Sequence, residues 1–484
     1  MAEPVERHLM VVMGGTGDLM RRKLLPAMRR LTESGALRDR VVILAAGRRT
    51  SFDDDSYREW AREALLEAGI EPDASGSGWC GRCLHYQSVG DQQPEDFEAL
   101  QARIEQLEDE HDLPGNRIFY LATPPGAFID TIERLGEVGL NEGSGWTRVV
   151  IEKPFGHDLA SAQDLNRRIH AHFREDQIYR IDHYLGKETV QNLLAFRFAN
   201  VLFESIWNRD RVASVEIVVA EDLGVEARGE FYDRVGALRD VVQNHMTQLL
   251  TITAMEVPVE LEADAIRDEK VKVLRSLAPL DPSQAVFGQY AAGEIGGEPV
   301  VGFREEEGVA ADSTTETFVA LRTYVANWRW HGVPFVLRTG KRLPEKLTRV
   351  TINFRCPALA IFQGHPEARA RANSLVITLQ PDEGFDLQFE VKQPADELRL
   401  QTQSLSFRYA EAFPELPDAY ETLLVDIAQG DQTLFVRADE VEQSWRFYEP
   451  LQQARPPAYP YAAGTMGPEQ AERILVPRGE ACPI

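Results

Sequence analysis

Cysteine is scarce in this chain: Cys80, Cys83, Cys356 and Cys482 are the only four in 484 residues. So few make a disulfide framework improbable, and a reducing cytosol is the expected compartment. Long apolar runs are missing as well. None approaches the roughly 18 residues needed to span a membrane. The first apolar stretch is preceded by Glu3, Glu6, Arg7 and His8, unlike a secretory signal. Positive charge is in deficit, with 52 Lys and Arg against 77 Asp and Glu for a net charge of −25. A field of that sign repels a phosphate backbone, which argues against nucleic acid as a partner. An anionic small substrate would need a local island of Lys, Arg and His.

What is present is ordinary for a globular protein, at 43% hydrophobic and 27% charged residues. The length is too great for one core and implies two or three domains. Two of the cysteines form "WCGRC" (79–83), superficially a redox motif, but they follow the loop-like "EPDASGSG" rather than a strand leading into a helix. A zinc site would need more ligands than His85 nearby. The pair reads as incidental.

Residues 9–45 run strand, glycine turn, helix, strand, in the stretches "LMVVM", "GGTGDL", "LMRRKLLPAMRRLTESG" and "RVVILAAG". Helices around 55–68, 94–111 and 127–138 alternate with the strands "NRIFYLATPP" and "WTRVVIEKPFG". Such alternation indicates a parallel, doubly wound sheet. After about residue 210 the texture changes to "VASVEIVVAED", "TETFVALRTYV", "GVPFVLRTGK", "RVTINF", "SLVITLQP" and "FDLQFEVKQ". Alternation of apolar and polar residues there marks antiparallel strands with one covered face. A helical stretch at 232–255 sits among them. The expected division falls near residue 180, between an α/β domain (1–181) and an α+β domain (182–484) with a large, mostly antiparallel sheet. "RIDHYLGKE" (180–188) would lie at that junction, a common place for a site.

Five stretches could carry chemistry. "GGTGDL" places Gly14, Thr16, Gly17, Asp18 and Leu19 between strand and helix, where backbone N–H groups can meet a pyrophosphate; a plain tight turn would look similar. The next strand ends in Arg48 and Arg49, which suit the 2′-phosphate of NADP, whereas the carboxylate that would suit NAD is lacking until Asp53. Lys153 ends a sheet strand and would point into the ligand crevice, and its bond to Pro154 is a candidate for the cis form. On an ideal helix Asp240, Asn244 and His245 span an arc of about 140°, although a lone helical histidine is more often structural. Lys341, Arg342 and Lys346 form a basic island, or a solvated strand end.

"GGTGDLMRRKLLP", "EKPFG", "RIDHYLGKE", "RFAN…WNRD", "RDVVQNH", "STTETF" and "VPFVLRTGKRLPEK" occur in this order and closely resemble the glucose-6-phosphate dehydrogenase family. The resemblance runs from about residue 9 to the C-terminal region. It implies a Rossmann-like N-terminal domain, NADP as cofactor, glucose 6-phosphate as substrate, and homodimers or homotetramers formed through the large sheet. It also implies His245 as general base, with Asp182 orienting its imidazole. His183, Tyr184 and Lys187 match the phosphate grip, which needs no metal, and His183 and Lys187 would share a face if their segment were helical. Lys341 and Lys346 match further substrate lysines, and Glu221 and Asp240 match carboxylates that accept from sugar hydroxyls. Lys153 and Lys23 match lysines close to both ligands. Gly14, Thr16, Gly17, Asp18, Leu19 and Arg48 match the coenzyme site. An NAD-preferring or other hexose-phosphate dehydrogenase, or a catalytically silent sugar-phosphate or nucleotide sensor on the same fold, are the alternatives.

Overall fold

The computed structural model describes residues 5–72, 78–359, 361, 370–394, 398–413 and 417–475. Residues 73–77, within the expected "EPDASGSG" loop, lie outside them. The chain forms two compact units. The first comprises Met1–Lys187, Glu260–Arg267 and Pro417–Val441, and the second Glu188–Val259, Asp268–Leu416 and Glu442–Ile484. No helix among the described residues is long and apolar enough to cross a membrane.

In the first unit, six strands run parallel: β1 (His8–Met13), β2 (Val41–Gly47), β3 (Leu84–Ser88), β4 (Arg117–Leu121), β5 (Thr147–Ile151) and β6 (Ile178–Ile181). Their order is β3-β2-β1-β4-β5-β6, the doubly wound arrangement of dinucleotide-binding folds. Every residue of β1 and β2 is buried, as strands covered on both faces must be, which is why they read as unbroken apolar runs. Strand order reverses between β1 and β4, and ligands of such sheets sit beyond the carboxyl ends of the strands at that point. A two-residue strand, Phe435–Val436, adds antiparallel to β6; nothing in so short a segment marks it as a strand.

The second unit is built on β7 (Val212–Ala220), which lies between the parallel Pro334–Gly340 and the antiparallel Leu347–Phe354. The sheet has nine strands and is mostly antiparallel. All six strands expected in this region are present. Ala285–Ala291, Leu400–Arg408 and Ala458–Ala462 were not anticipated. Leu400–Arg408 is largely exposed and opens on the polar run Gln401–Ser404, so the alternation of Leu405 with Phe407 is too short to read. Ala458–Ala462 contains Pro460 and lies at the sheet edge, where proline is tolerated.

The expected helix at 232–255 is not one regular helix. Residues Gly229–Ala237 are helical apart from Gly236, at φ 73° and ψ 169°. A π-helical segment, Leu238–Met246, follows, and Thr247–Ala254 completes the element as α-helix. The π segment packs on β7, Phe318–Tyr324 and Pro334–Gly340. "WCGRC" forms a short helix, Trp79–Cys83, with free thiols. Burial pushes the Cys83 thiol up to about 11, which makes it a poor thiolate and removes support for a redox switch. Cys356 is disulfide-bonded, which the low cysteine count had made improbable.

Candidate functional site

In the first unit the turn after β1 is built by backbone contacts that only glycine permits. Gly14 adopts φ +87°, and a Cβ there would stand 2.5 Å from the Ala122 carbonyl oxygen beyond β4. A Cβ on Gly15 would stand 2.5 Å from that of Ala45. The N–H groups of Gly14 and Gly15 donate to Ala46 O, and that of Gly17 to Gly14 O. No hydrogen bond among the described residues uses the N–H of Thr16, Asp18 or Leu19. These are the donors left over where a helix begins, and they form an anion cradle at the topological switch. The helix opens with a π turn, Met20–Leu24, before continuing as Leu25–Ser34. Lys23 lies on that turn, half-exposed, 3.1 Å from Asp418. Asp18 pairs with Arg22 at 2.7 Å on the open surface.

At the end of β2 stand two arginines, Arg48 and Arg49. Arg48 is exposed and makes no ion pair among the described residues. Arg49 lays its guanidinium over Phe52, 5.1 Å from the ring centroid. Asp53, the first carboxylate after the strand, caps the helix Asp54–Glu67 by accepting from Ser56 N–H at 2.9 Å. That carboxylate is already engaged, so the strand end is left with cations alone.

Beyond β5 the Lys153–Pro154 bond is cis, as the sequence position suggested. Its neighbour Glu152 had no expected role. It accepts from Tyr120 Oη at 2.5 Å and from Tyr420 Oη at 3.4 Å, and burial raises its carboxyl above the usual range. Tyr420 is far away in sequence, and no local signal marks it as a partner.

"RIDHYLGKE" divides between interior and turn. Arg180 is fully buried and is held by Glu175 at 2.7 Å and Asn166 at 3.1 Å, a structural charge. Asp182 is buried, and one of its oxygens accepts from Tyr184 N–H at 3.0 Å. Residues 183–186 are successive turns rather than a helix, so the expected one-face pairing of His183 with Lys187 does not arise by helical spacing. The turns bring Lys187 Nζ over the Tyr184 ring instead, 4.0 Å from its centroid, and set His183 edge-on to the same tyrosine, 5.1 Å between ring centroids. An ammonium and an imidazole thus lie against one phenol ring. Gly186 has no room for a side chain, because a Cβ would stand 2.7 Å from Ala419 O.

In the second unit the helical segment Leu238–Met246 carries Asp240, Asn244 and His245. The 140° arc of an ideal helix does not apply to it. Hydrogen bonds of the i→i+5 kind widen each turn, so residues four and five apart stack on one face, and π segments recur at functional sites. Thr247 Oγ1 reaches back to Val242 O at 2.7 Å, five residues earlier, which fits that geometry. The segment starts at Gly236, where Glu316 of "STTETF" accepts from Leu238 N–H at 3.0 Å. The motif was legible in sequence, but its anchoring role was not.

Glu221 follows β7 and is joined to the β-sheet by Glu221 N–H to Gly340 O and Leu343 N–H to Glu221 O. Its carboxylate accepts from Lys341 Nζ, which is buried. The same ammonium lies 4.9 Å from the Tyr232 ring centroid, another residue not anticipated. Burial, with the carboxylates of Asp240 and Glu221 nearby, holds the Tyr232 phenol protonated, well above its usual range. Arg342 turns away to Glu306 at 3.2 Å, while Lys346 is exposed. The basic island therefore splits into a buried cation, a structural one and a solvated one. Lys341, Glu221, Tyr232 and Asp240 make a compact set of donors and acceptors suited to a polyhydroxylated ligand.

Two family models match the chain: "Glucose-6-phosphate dehydrogenase, NAD binding domain" over residues 11–192 and "Glucose-6-phosphate dehydrogenase, C-terminal domain" over residues 194–481. A glucose-6-phosphate 1-dehydrogenase of Aggregatibacter actinomycetemcomitans is 44% identical, covering 98% of this chain and 97% of the relative. That of Bacillus subtilis (strain 168) is 41% identical over 98% of this chain and 97% of its own. A solved glucose-6-phosphate dehydrogenase in complex with glucose 6-phosphate superposes with TM-score 0.89 at 35% identity, covering 98% of both chains. The Mycobacterium avium enzyme does so with TM-score 0.84 at 38% identity, over 97% of both.

Proposed function

The chain belongs to the glucose-6-phosphate dehydrogenase family, and from that premise we propose that it oxidises D-glucose 6-phosphate to 6-phospho-D-glucono-1,5-lactone with NADP, the first step of the oxidative pentose phosphate pathway. The bound coenzyme supplies the acceptor for the hydride of C1. His245 removes the proton of the C1 hydroxyl as the C1–H bond breaks and the C1 carbonyl forms, so that lactone, reduced coenzyme and one proton result. Asp182 orients the imidazole and stabilises its charged form while remaining ionised itself.

His183, Tyr184 and Lys187 hold the phosphate, and Lys346 and Lys341 add positive charge. Glu221 and Asp240 accept from the sugar hydroxyls, and the Glu221 contact fixes Lys341 before substrate arrives. Holding these groups in place beforehand removes reorganisation from the reaction step. Lys153 and Lys23 serve near both ligands. The coenzyme pyrophosphate takes the free N–H groups of Thr16, Asp18 and Leu19, with Gly14 and Gly17 keeping the approach clear. Arg48 takes the 2′-phosphate. Association as a homodimer or homotetramer would use the nine-stranded sheet, whose strands Ser374–Gln380 and Leu400–Arg408 leave residues such as Leu405 exposed.

The buried Lys341, paired with the partly exposed Glu221 beside Tyr232 and Asp240, carries this reading most strongly, because a fold has no structural need to sink an ammonium group there. The test is turnover measured with NADP and with NAD, each against glucose 6-phosphate, glucose and galactose 6-phosphate. The proposal expects NADP and glucose 6-phosphate to give the highest kcat/KM. An NAD preference would contradict the role of Arg48, and no reduction with any pair would favour a silent sensor.

A further inference from the structure

We propose that the second unit holds a binding site for a small organic anion bearing two or more phosphate groups, in a cavity of about 600 Å³. Four arginines line it: Arg234, Arg239, Arg304 and Arg455. Against them stands one carboxylate, Glu316, already engaged by Leu238 N–H. In a chain of net charge −25, a concavity with this excess of guanidinium groups is a local reversal of sign. A cleft lined by one sign of charge concentrates ligands of the other.

Three of these arginines, Arg234, Arg304 and Arg455, are available to a ligand. Arg304 uses its Nε on the Ser313 carbonyl at 2.9 Å, which leaves the two terminal nitrogens. Neither Arg304 nor Arg455 makes an ion pair among the described residues. Arg234 pairs only with Glu230, one turn away, and both are about three-quarters exposed; such a surface pair is weak and exchangeable. Arg455 adds a second observation. It stands at φ +43°, just past the helix Ala438–Ala454, and its N–H donates to Leu451 O at 3.0 Å. That is the left-handed helix-ending position where glycine is usual. An arginine there tolerates backbone strain and delivers its side chain to the cavity rim, with Pro456 and Pro457 fixing the exit.

The ligand class follows from the shape and the remaining walls. Inorganic phosphate would fill little of the volume, which falls in the range of small-molecule sites. Phe287, Leu451 and Pro456 offer apolar faces, and Thr314 and Gln452 offer polar atoms between them and the arginines. Two phosphates on a carbon skeleton or a nucleoside match that division, since guanidinium groups grip phosphate through paired donors. The cavity is distinct from the Gly14–Leu19 cradle, which belongs to the other unit.

Isothermal titration of the full chain with ADP, fructose 1,6-bisphosphate, pyrophosphate and inorganic phosphate tests the site, repeated on Arg304→Ala/Arg455→Ala. Binding elsewhere, at the coenzyme turn or the sugar site, survives that double substitution, so the difference isolates the cavity without reference to catalysis. ADP or the bisphosphate is expected to bind more tightly than inorganic phosphate and to lose at least about tenfold in affinity in the double variant, more at low salt than at high. Loss confined to ADP identifies a nucleotide site, and loss confined to the bisphosphate a sugar-phosphate site. Absence of saturable binding by every probe overturns the proposal, as does equal affinity in wild type and a variant whose melting temperature is unchanged. Should the double variant melt early, Arg304→Gln alone is expected to weaken binding several-fold, and unchanged affinity there counts against the site.

Discussion

Replacing Gly236 by alanine tests whether the π segment bearing Asp240 and His245 depends on a single backbone position. Gly236 sits at φ 73° and ψ 169°, a region essentially closed to side chains. Forcing alanine into it costs about 1–3 kcal/mol. The added Cβ would also stand 2.5–2.8 Å from the three carboxyl atoms of Glu316, so that carboxyl must move. Displacing it loosens the hydrogen bond to Leu238 N–H, worth about 1 kcal/mol. The sum is roughly 2–4 kcal/mol. At ~2–4 °C for each kcal/mol in a domain of this size, scanning calorimetry should show the transition of the second unit falling by about 5–15 °C. Turnover should fall with it, because the segment that starts at Leu238 loses its anchor. In a Glu316→Ala background the steric part disappears, and Gly236→Ala should cost only the backbone share. A Gly236→Ala protein that melts like wild type and keeps its kcat/KM would refute the reasoning.

Two other substitutions probe the coenzyme side. Arg48→Ala should weaken NADP by about tenfold or more through the lost charged contact while leaving NAD nearly unchanged, read as the ratio of kcat/KM values; equal losses for both coenzymes would remove Arg48 from the 2′-phosphate. Glu152→Gln should raise thermal stability at neutral pH. The folded carboxyl titrates above its unfolded value, so the folded state binds the proton more tightly and loses stability as pH rises through that interval. Glutamine keeps the acceptor for Tyr120 but carries no charge to bury, so the gain should shrink to nothing below the ordinary carboxylate range. A melting temperature that gains equally at low and neutral pH would point to packing instead.

The parallel sheet was legible because its strands are buried on both faces and separated by strong helical periods, as "LMVVM" and "RVVILAAG" show. Most antiparallel strands with a packed face were legible, but the largely buried Ala285–Ala291 was not, and Leu400–Arg408 escaped because most of it is exposed. Residues proposed to act by their own chemistry, such as Asp182, Lys341 and Arg48, stood out as motif members. Those that act by position did not. Tyr232 reads as an ordinary core aromatic until Lys341 lies over it. Glu316 reads as one more acid in an acidic chain until Gly236 shows why it is there. The π-helical turn is invisible to a 3.6-residue period, because it results from packing and from Glu316 rather than from local propensity. Segments 260–267 and 417–441 join the first unit through long-range contacts, such as Arg30 with Glu421 and Arg148 with the carbonyls of Ile427 and Ala428, that no local pattern encodes.

The most direct test of the catalytic account is His245→Asn, with kcat and KM for glucose 6-phosphate measured at saturating NADP. A base acts in the transition state, so kcat should fall by about 10²–10⁴ while KM stays close to wild type. A variant that turns over at near wild-type rate would show that another group removes the C1 hydroxyl proton.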